Sequence, residues 1–152
     1  MRGLDHEGLD VYRIARELSR EINRVMRKAR HKRERRDLVN QVLRATASVP
    51  LNICEGSGER APGRRAYFFR VARGSATELA GALDHMVDME MLAEDDTVSA
   101  KSLISRIVAM LVRLTDTVTT PASYPPLKKR SVPPRPGNNG RKRGEQINGR
   151  AR

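Results

Sequence analysis

Four segments of the chain carry apolar residues at steps of three and four, the spacing that puts side chains on one face of an α-helix. These segments begin near Leu9, Leu38, Pro62 and Ser99. Only 3% of the residues are aromatic, and the apolar residues are mainly Leu, Val, Ile, Ala and Met. Such side chains suit helix packing better than a β-sandwich. The pattern predicts an all-α fold, an antiparallel up-down four-helix bundle over residues 9–120, preceded by a frayed N-terminus at residues 1–8.

Proline, glycine and charged residues indicate where these helices end or bend. Pro50 lies inside the second helix, where its missing N–H and its ring should produce a kink. The stretch 30–34 has no Gly or Pro, so the pattern fits both a turn there and a continuous helix. The acidic stretch 94–96 is interpreted as a loop, with a helix cap near Ser99. Gly74 and Ser75 indicate close approach of a neighbouring helix to the third helix. The expected packed face of the third helix is Phe68, Val71, Ala72, Ser75, Leu79, Leu83, Met86 and Val87.

The net charge of +12 arises from 30 Lys and Arg against 18 Asp and Glu, and it is concentrated at the C-terminus. Residues 121–152 contain nine basic residues and one acid among many Pro and Gly residues. Such a segment buries too little apolar surface to fold, so it is predicted to be a disordered basic tail. Its charge favours nucleic acid or an anionic surface as partner, although the same tail could serve solubility alone. The candidate nucleic-acid-binding residues of the tail are Lys128, Lys129, Arg130, Arg141, Lys142 and Arg143.

The first helix carries a second periodic pattern, a stripe of arginines away from its apolar stripe. These arginines span roughly 20 Å at about 1.5 Å per residue, and the guanidinium fork binds phosphate well. Glu17 and Glu21 lie at pairing distance from them. The stripe predicts binding to the backbone of RNA or DNA with little sequence preference, and base stacking is not expected because aromatics are sparse. The predicted binding residues are Arg13, Arg16, Arg20, Arg24 and Arg27 on the helix and Lys28, Arg30, Lys32, Arg33, Arg35 and Arg36 in the link that follows.

Two other interpretations of these basic residues stay open. The stripe could be an ordinary solvated helix face. Alternatively, the basic link could bind an acidic run of a neighbouring subunit, so that the protein would be an assembly or adaptor module. That acidic run consists of Asp84, Asp88, Glu90, Glu94, Asp95 and Asp96.

The residues that usually carry catalysis or metal binding are few and scattered. His6, His31 and His85 lack metal-ligand spacing with one another and with Cys54, and the Glu-x-x-His pairs of a bundle metal site do not occur. The sequence also lacks a P-loop and a dinucleotide-binding fingerprint. The expectation is a non-enzymatic protein without metal or cofactor. A lone cysteine, no signal peptide and no long apolar run favour the cytoplasm and argue against a membrane partner.

Three segments, in order, resemble the four-helix bundle proteins encoded in 23S rRNA intervening sequences. Residues 41–56, QVLRATASVPLNICEG, are similar to the family pattern QxxRAxxSIPxNIAEG. Residues 9–15 look like its opening LxVWxxA, and residues 69–79 look like its FLxxAxGSxxEL. Cys54 replaces an alanine of the pattern, and Tyr12 replaces a tryptophan. The resemblance spans about residues 9–118, and the basic link and the tail depart from it.

The resemblance implies an up-down four-helix bundle with a turn between the first two helices. It also implies a homo-oligomer, because members of the family assemble as ring-shaped pentamers. Related bundles are accessory proteins of diversity-generating retroelements, where they bind a reverse transcriptase and its template RNA. A reverse transcriptase is therefore a candidate partner of this chain.

The matching segments contain polar residues that should meet between the second and third helices. Buried charges need partners, because desolvating a lone charge costs roughly several kcal/mol. Ion pairs of Arg44 with Glu78, or of Glu55 with Arg73, are the expected result. The alternative is a polar site at the kink of Pro50. The complete polar motif is Arg44, Asn52, Glu55, Arg73, Ser75 and Glu78.

Overall fold

The computed structural model describes residues 4–29 and 35–119. In these residues a short 3-10 turn precedes four α-helices, and there is no strand. The tail and the link residues Arg30, Lys32 and Arg33 lie outside the described residues, so the predictions about them stay predictions. The elements are the 3-10 turn Asp5–Gly8 and the helices α1 (Asp10–Lys28), α2 (Arg36–Gly58), α3 (Pro62–Asp88) and α4 (Glu94–Thr119).

The four helices surround one apolar core, as the spacing of the apolar residues predicts. α2 and α4 each contact both α1 and α3, whereas α1 and α3 lie diagonally across the bundle. Short links join successive helices, so that neighbours run antiparallel. Aliphatic side chains such as Leu18, Ile53 and Ile107 are completely buried between the helices. The all-α four-helix bundle is thereby confirmed.

The first two helices are separate, as the resemblance implied. Ala29 ends α1 with an extended backbone (φ −60°, ψ 135°), and α2 begins at Arg36. α2 then continues past Pro50 to Gly58. The kink expected at Pro50 stays a prediction.

The acidic stretch 94–96 is the first turn of α4 and not a loop, so the predicted cap near Ser99 is wrong. The turn before it depends on Glu90, which has a left-handed backbone with φ 55°. The Met91 amide then donates to the Met86 carbonyl at 2.9 Å, and Met91 is buried. Carboxylates in a first turn are favoured by the helix dipole, an effect that the spacing of apolar residues does not reveal.

The packed face of α3 differs from the prediction, and the tight helix contact occurs at another glycine. Phe69 is buried, whereas Phe68 is only partly buried. Gly74 is exposed, and a Cβ added there would meet nothing within 4 Å. A Cβ added to Gly56 would lie 2.6 Å from Cε1 of Phe69. The close approach predicted at Gly74 and Ser75 is therefore wrong for Gly74, whereas Ser75 does contact Ser48 of α2. The tightest contact of a glycine between α2 and α3 is at Gly56. The buried residues of α3 are Ala66, Phe69, Ala72, Ala76, Leu79, Ala82, Leu83 and Met86.

Part of the N-terminus that was expected to be frayed forms a regular turn. The Leu4 amide donates to Glu7 Oε2 at 2.9 Å, and the Glu7 amide donates to the Leu4 carbonyl at the same distance. The ring of His6 packs edge-on against the ring of Tyr12, with centroids 4.5 Å apart. These contacts attach residues 4–8 to the start of α1.

Candidate nucleic-acid interface

α1 separates its apolar and basic side chains onto opposite faces. Val11, Leu18 and Ile22 are buried in the core. Residues at steps of three and four share one helix face, so the arginines at those steps form a continuous outer surface. All five are exposed, as the sequence predicts. We call this surface the arginine face; it comprises Arg13, Arg16, Arg20, Arg24 and Arg27.

Two arginines of the arginine face are paired with carboxylates one turn earlier. Arg13 pairs with Asp10. Arg24 donates from Nε to Glu21 Oε2 at 2.9 Å and from Nη2 to Glu21 Oε1 at 2.5 Å. The hydrogen bonds from Arg24 lower the pKa of Glu21, and the same pair raises the pKa of Arg24. These pairs reduce the positive charge that the two arginines offer to a phosphate.

The described ends of the basic link contact the same chain. Lys28 Nζ donates to Asp96 Oδ1 at 2.5 Å, and this hydrogen bond lowers the pKa of Asp96. Arg35 donates to the backbone carbonyl of Met89. Asp96 of the acidic run is thus paired with Lys28 within a single protomer, and Arg35 contacts the backbone between Asp88 and Glu90 of the run. This arrangement weakens the alternative in which the acidic run binds the link of a neighbouring subunit.

Three arginines of the arginine face make no hydrogen bond or ion pair with any described residue: Arg16, Arg20 and Arg27. Glu17, which was expected to pair within this face, is exposed and makes no described ion pair either. From Arg16 to Arg27 the helix rises roughly 16 Å, at about 1.5 Å per residue. These three guanidinium groups lie along one edge of the molecule, and no carboxylate among residues 4–29 and 35–119 is paired with them.

Three residues of the polar motif, Asn52, Ser75 and Glu78, make hydrogen bonds with hydroxyl, amide or carbonyl groups near the contact between α2 and α3. Ser48 Oγ and Ser75 Oγ lie 2.8 Å apart. Asn52 Nδ2 donates to the Ser48 carbonyl at 2.8 Å and to Ser48 Oγ at 3.0 Å. Gln41 Nε2 donates to Glu78 Oε1 at 3.2 Å. Hydroxyl and amide groups, and not ion pairs, thus satisfy the polar atoms of this contact.

The predicted ion pairs of the polar motif do not form. Neither Arg44 with Glu78 nor Glu55 with Arg73 makes a salt bridge among the described residues. Arg44 and Glu55 are exposed, so water solvates their charges and no protein partner is required. The prediction was wrong because it assumed that these charges are buried. The alternative polar site is also not favoured, since the Asn52 amide is bonded to its own helix.

Cys54 lies next to Tyr12 at the contact between α1 and α2. Burial is the main cause that raises the pKa of the Cys54 thiol, and burial likewise raises the pKa of the Tyr12 hydroxyl. A reactive cysteine needs a lowered pKa, because the thiolate is the nucleophile. The environment of Cys54 therefore favours a packed thiol over an activated one.

A second group of arginines lies at the turn between α2 and α3 and was not among the predicted binding residues. Arg60 and Arg70 are exposed and make no hydrogen bond or ion pair with a described residue. Arg64 Nε lies 3.0 Å from Glu59 Oε2, and Arg65 Nε donates to the Glu59 carbonyl at 2.9 Å. The signal was present, because residues 60–73 contain five arginines and no acid.

This turn lies at the end of the bundle where α4 also ends. Arg65 lines a surface cavity together with Phe69 of α3 and Leu114 and Val118 of α4. The last described residues of the chain are therefore close to the arginines that follow the turn.

The outer face of α2 carries exposed apolar side chains. Leu43 is 46% exposed and Leu51 is 62% exposed, and the exposed Ala47 lies between them. Steps of four place these three residues in one ridge. Contact of this ridge with another chain would remove apolar surface from water.

Among residues 4–29 and 35–119, no three His, Cys, Asp or Glu side chains are grouped so that they could bind a metal ion. None of the helices in this part of the chain is long and apolar enough to cross a membrane.

The fold and its outer faces define a class of protein, a small antiparallel four-helix bundle whose first helix is basic on the solvent side. The sequence model of the 23S rRNA-intervening sequence protein family matches residues 7–113, which include all of α1, α2 and α3 and most of α4. The chain belongs to this family, and the resemblance carried by its three motifs is confirmed. None of the curated proteins compared with the chain matches it significantly.

Proposed function

We propose that this chain is a non-enzymatic protein of the cytoplasm that binds RNA or DNA through the basic surface of its helical bundle. The observation that carries the proposal is the row of exposed arginines without a described partner on α1, namely Arg16, Arg20 and Arg27. Arginine forks bind phosphate oxygens in a bidentate manner, and a row of them can follow a nucleic-acid backbone.

Two further features support the proposal. The description of the family refers to 23S rRNA, in agreement with a nucleic-acid partner. The tail adds nine basic residues to the charge of the bundle. The basic tail favours binding that is mainly electrostatic and therefore weakens steeply as salt is added.

An electrophoretic mobility shift at several salt concentrations tests the proposal. The full-length protein should retard RNA or DNA at low salt, and the double variant Arg16→Glu/Arg20→Glu should bind more weakly. Arg106→Glu is the matched control, because Arg106 is an exposed arginine on the outside of α4. Absence of any shift by the full-length protein at low salt would reject the proposal.

We also propose that the protein acts as a homo-oligomer. The resemblance to the family implies that this oligomer is a ring-shaped pentamer. The exposed ridge of Leu43, Ala47 and Leu51 supports contact between copies, since burying it would remove apolar surface from water. A closed ring would repeat the arginine face once per subunit. Individually weak phosphate contacts would then add up by avidity.

The finer role that we propose is that of an accessory factor to a reverse transcriptase in a diversity-generating retroelement. The support is indirect: the motifs at residues 9–15, 41–56 and 69–79 resemble the intervening-sequence family, and the accessory bundles of such retroelements are related to that family. A reverse transcriptase gene and a template repeat beside the gene of this protein would support the role, and co-purification with that reverse transcriptase would test it. A position inside a ribosomal RNA gene would instead favour the intervening-sequence role.

The second candidate function is an assembly or adaptor module without a nucleic-acid partner. The exposed Leu43 and Leu51 favour it, because protein interfaces contain such side chains. In that case, reversing the charge of Arg16 and Arg20 would change the oligomer mass or the binding of a protein partner. Affinity for RNA and DNA would be absent from the start.

A further inference from the structure

Tyr67 is an exposed aromatic residue on the outside of α3. Its side chain is 56% exposed, although the residue directly before it, Ala66, is completely buried. The preceding and following turns each place an arginine on nearly the same face, Arg64 at three residues before Tyr67 and Arg70 at three residues after it. An exposed aromatic ring thus has an arginine one helical turn before it and another one turn after it.

One neighbouring ring packs against Tyr67, and two glycines leave open space along the same side of α3. Phe68 packs edge-on against Tyr67, with ring centroids 5.5 Å apart and planes at 71°. Gly63 and Gly74 lie on the same side of α3, and a Cβ added at either would meet nothing within 4 Å. A flat group can therefore approach the helix next to Tyr67 without meeting a side chain at these two positions.

The two arginines keep enough freedom to bind an anion. The side chain of Arg64 is 72% exposed. Among the described residues it is paired with Glu59 alone, with Nε and Oε2 3.0 Å apart. Exposed pairs of this kind are weak, so a phosphate can replace the carboxylate. Arg70 makes no hydrogen bond or ion pair with a described residue. Arg60, in the turn before α3, adds a third exposed guanidinium.

We propose that Arg64, Tyr67 and Arg70 form a stacking site for single-stranded nucleic acid, in which a base lies against the Tyr67 ring and the arginines bind the flanking phosphates. The site deepens the proposed function and rests on it. Base stacking was not expected from the sequence, because aromatic residues are sparse near the arginine stripe of the first helix.

The dimensions of the site suit a strand and not a duplex. Arg64 and Arg70 are about 9 Å apart along the helix axis, which corresponds to two or three nucleotides at roughly 3.4 Å per stacked nucleotide. In a duplex the bases are stacked on one another and paired, so Tyr67 could not reach a base face without disrupting them. An unpaired strand offers its bases freely. An exposed tyrosine between arginines therefore distinguishes a single-stranded ligand from a double-stranded one.

The test compares the full-length protein with Tyr67→Ala and Tyr67→Phe. Binding is measured by fluorescence anisotropy with an end-labelled oligouridylate and, separately, with the duplex of that strand and oligoadenylate. Tyr67→Ala should weaken oligouridylate binding roughly 5- to 150-fold, the range found when one base loses its aromatic partner. Tyr67→Phe should bind like the wild type, since it keeps the ring. Duplex binding should be unchanged in both variants.

A matched control and a stability measurement complete the experiment. Val98→Ala truncates a side chain of similar exposure on α4, at 58%, and should leave oligouridylate binding unchanged. Thermal unfolding should be nearly the same for Tyr67→Ala and the wild type, because the side chain is largely solvated. Equal affinity of Tyr67→Ala and wild type for oligouridylate would overturn the stacking site while Arg16→Glu/Arg20→Glu still tests the proposed function. A wild-type protein that binds neither probe at low salt would overturn both.

Discussion

Lys28 at the end of α1 and Asp96 in the first turn of α4 form an ion pair, with Nζ and Oδ1 2.5 Å apart. The pair joins the first and the last helix at the end of the bundle where the basic link begins. It also means that one cation of the link is neutralised within the protomer. The acidic start of α4 therefore has a structural role that does not require a second subunit.

The Lys28–Asp96 pair predicts a loss of stability in acid. The pKa of Asp96 is lowered, so the folded protein favours the carboxylate more than the unfolded chain does. The stabilisation of the fold by the Lys28–Asp96 pair is fully present above the ordinary carboxylate pKa of about 4. It is lost as the pH falls through the lower pKa that Asp96 has in the folded protein. Glu21, whose pKa is also lowered, contributes in the same direction.

We expect the melting temperature of Asp96→Asn to fall less than that of the wild type when the pH is lowered through this range. Calorimetry across a pH series measures the difference. Asp95→Asn is the matched control, since Asp95 is an exposed residue of the same helical turn. Parallel pH profiles for the wild type and Asp96→Asn would contradict the assignment.

Gly56→Ala should destabilise the bundle. The new methyl group would overlap the buried ring of Phe69, and insertion into a packed contact costs about 1–3 kcal/mol. Gly74→Ala is the control, because a Cβ at this position would meet nothing within 4 Å. The free energy of unfolding of this variant should be unchanged or higher by about 0.5–1 kcal/mol, because alanine favours the helix. Urea denaturation gives both free energies of unfolding. A Gly56→Ala protein as stable as the wild type would show that the overlap with Phe69 costs no more than about 0.5–1 kcal/mol, the amount that alanine gains in a helix.

The salt dependence of RNA binding should distinguish free from paired arginines. Removing one arginine that binds a phosphate of a single strand reduces the slope of log K against log salt by about 0.7. Arg20→Ala should show a reduction of this size, whereas Arg24→Ala should show less, because Arg24 is held by Glu21. Identical slopes for the two variants would mean that the ion pair opens when RNA binds. Anisotropy titrations over a series of salt concentrations measure the slopes.

Leu43→Ser/Leu51→Ser should lower the mass of the oligomer. Both side chains are exposed in one chain, so their replacement should leave the fold of the protomer intact while removing apolar surface from a contact between copies. Light scattering after size-exclusion chromatography measures the mass. Val98→Ser, an exposed apolar residue of α4, should leave the mass unchanged. An unchanged mass for Leu43→Ser/Leu51→Ser would mean that the copies do not contact one another through this ridge.

The spacing of apolar residues was enough to predict four helices and the arginine face, because both follow from the period of the α-helix. Val11, Leu18 and Ile22 are buried, and the arginines opposite them are exposed, as expected. The spacing of apolar residues could not predict where a helix begins or ends when its terminal turn consists of charged residues. The first turn of α4 was interpreted as a loop, since charged residues there carry no apolar period.

The polar contacts between α2 and α3 depend on the relative position of two helices, which a single sequence does not specify. Ser48 meets Ser75, and Gln41 meets Glu78, although Arg44 was the expected partner by charge. Gly56 and not Gly74 lies at the close approach for the same reason. Tyr67 was overlooked as a candidate because its flanking arginines lie on α3, away from the most basic helix.

The position where α4 ends has a consequence for the segment after Thr119. Val118 and Arg65 line the same cavity, so the end of α4, from which the basic segment continues, lies near the turn that leads to Tyr67. A strand captured at that turn would meet the tethered cations at a high local concentration, without a second diffusional encounter. Truncation after Thr119 would then shorten the residence time of a bound strand more than it would slow the first capture.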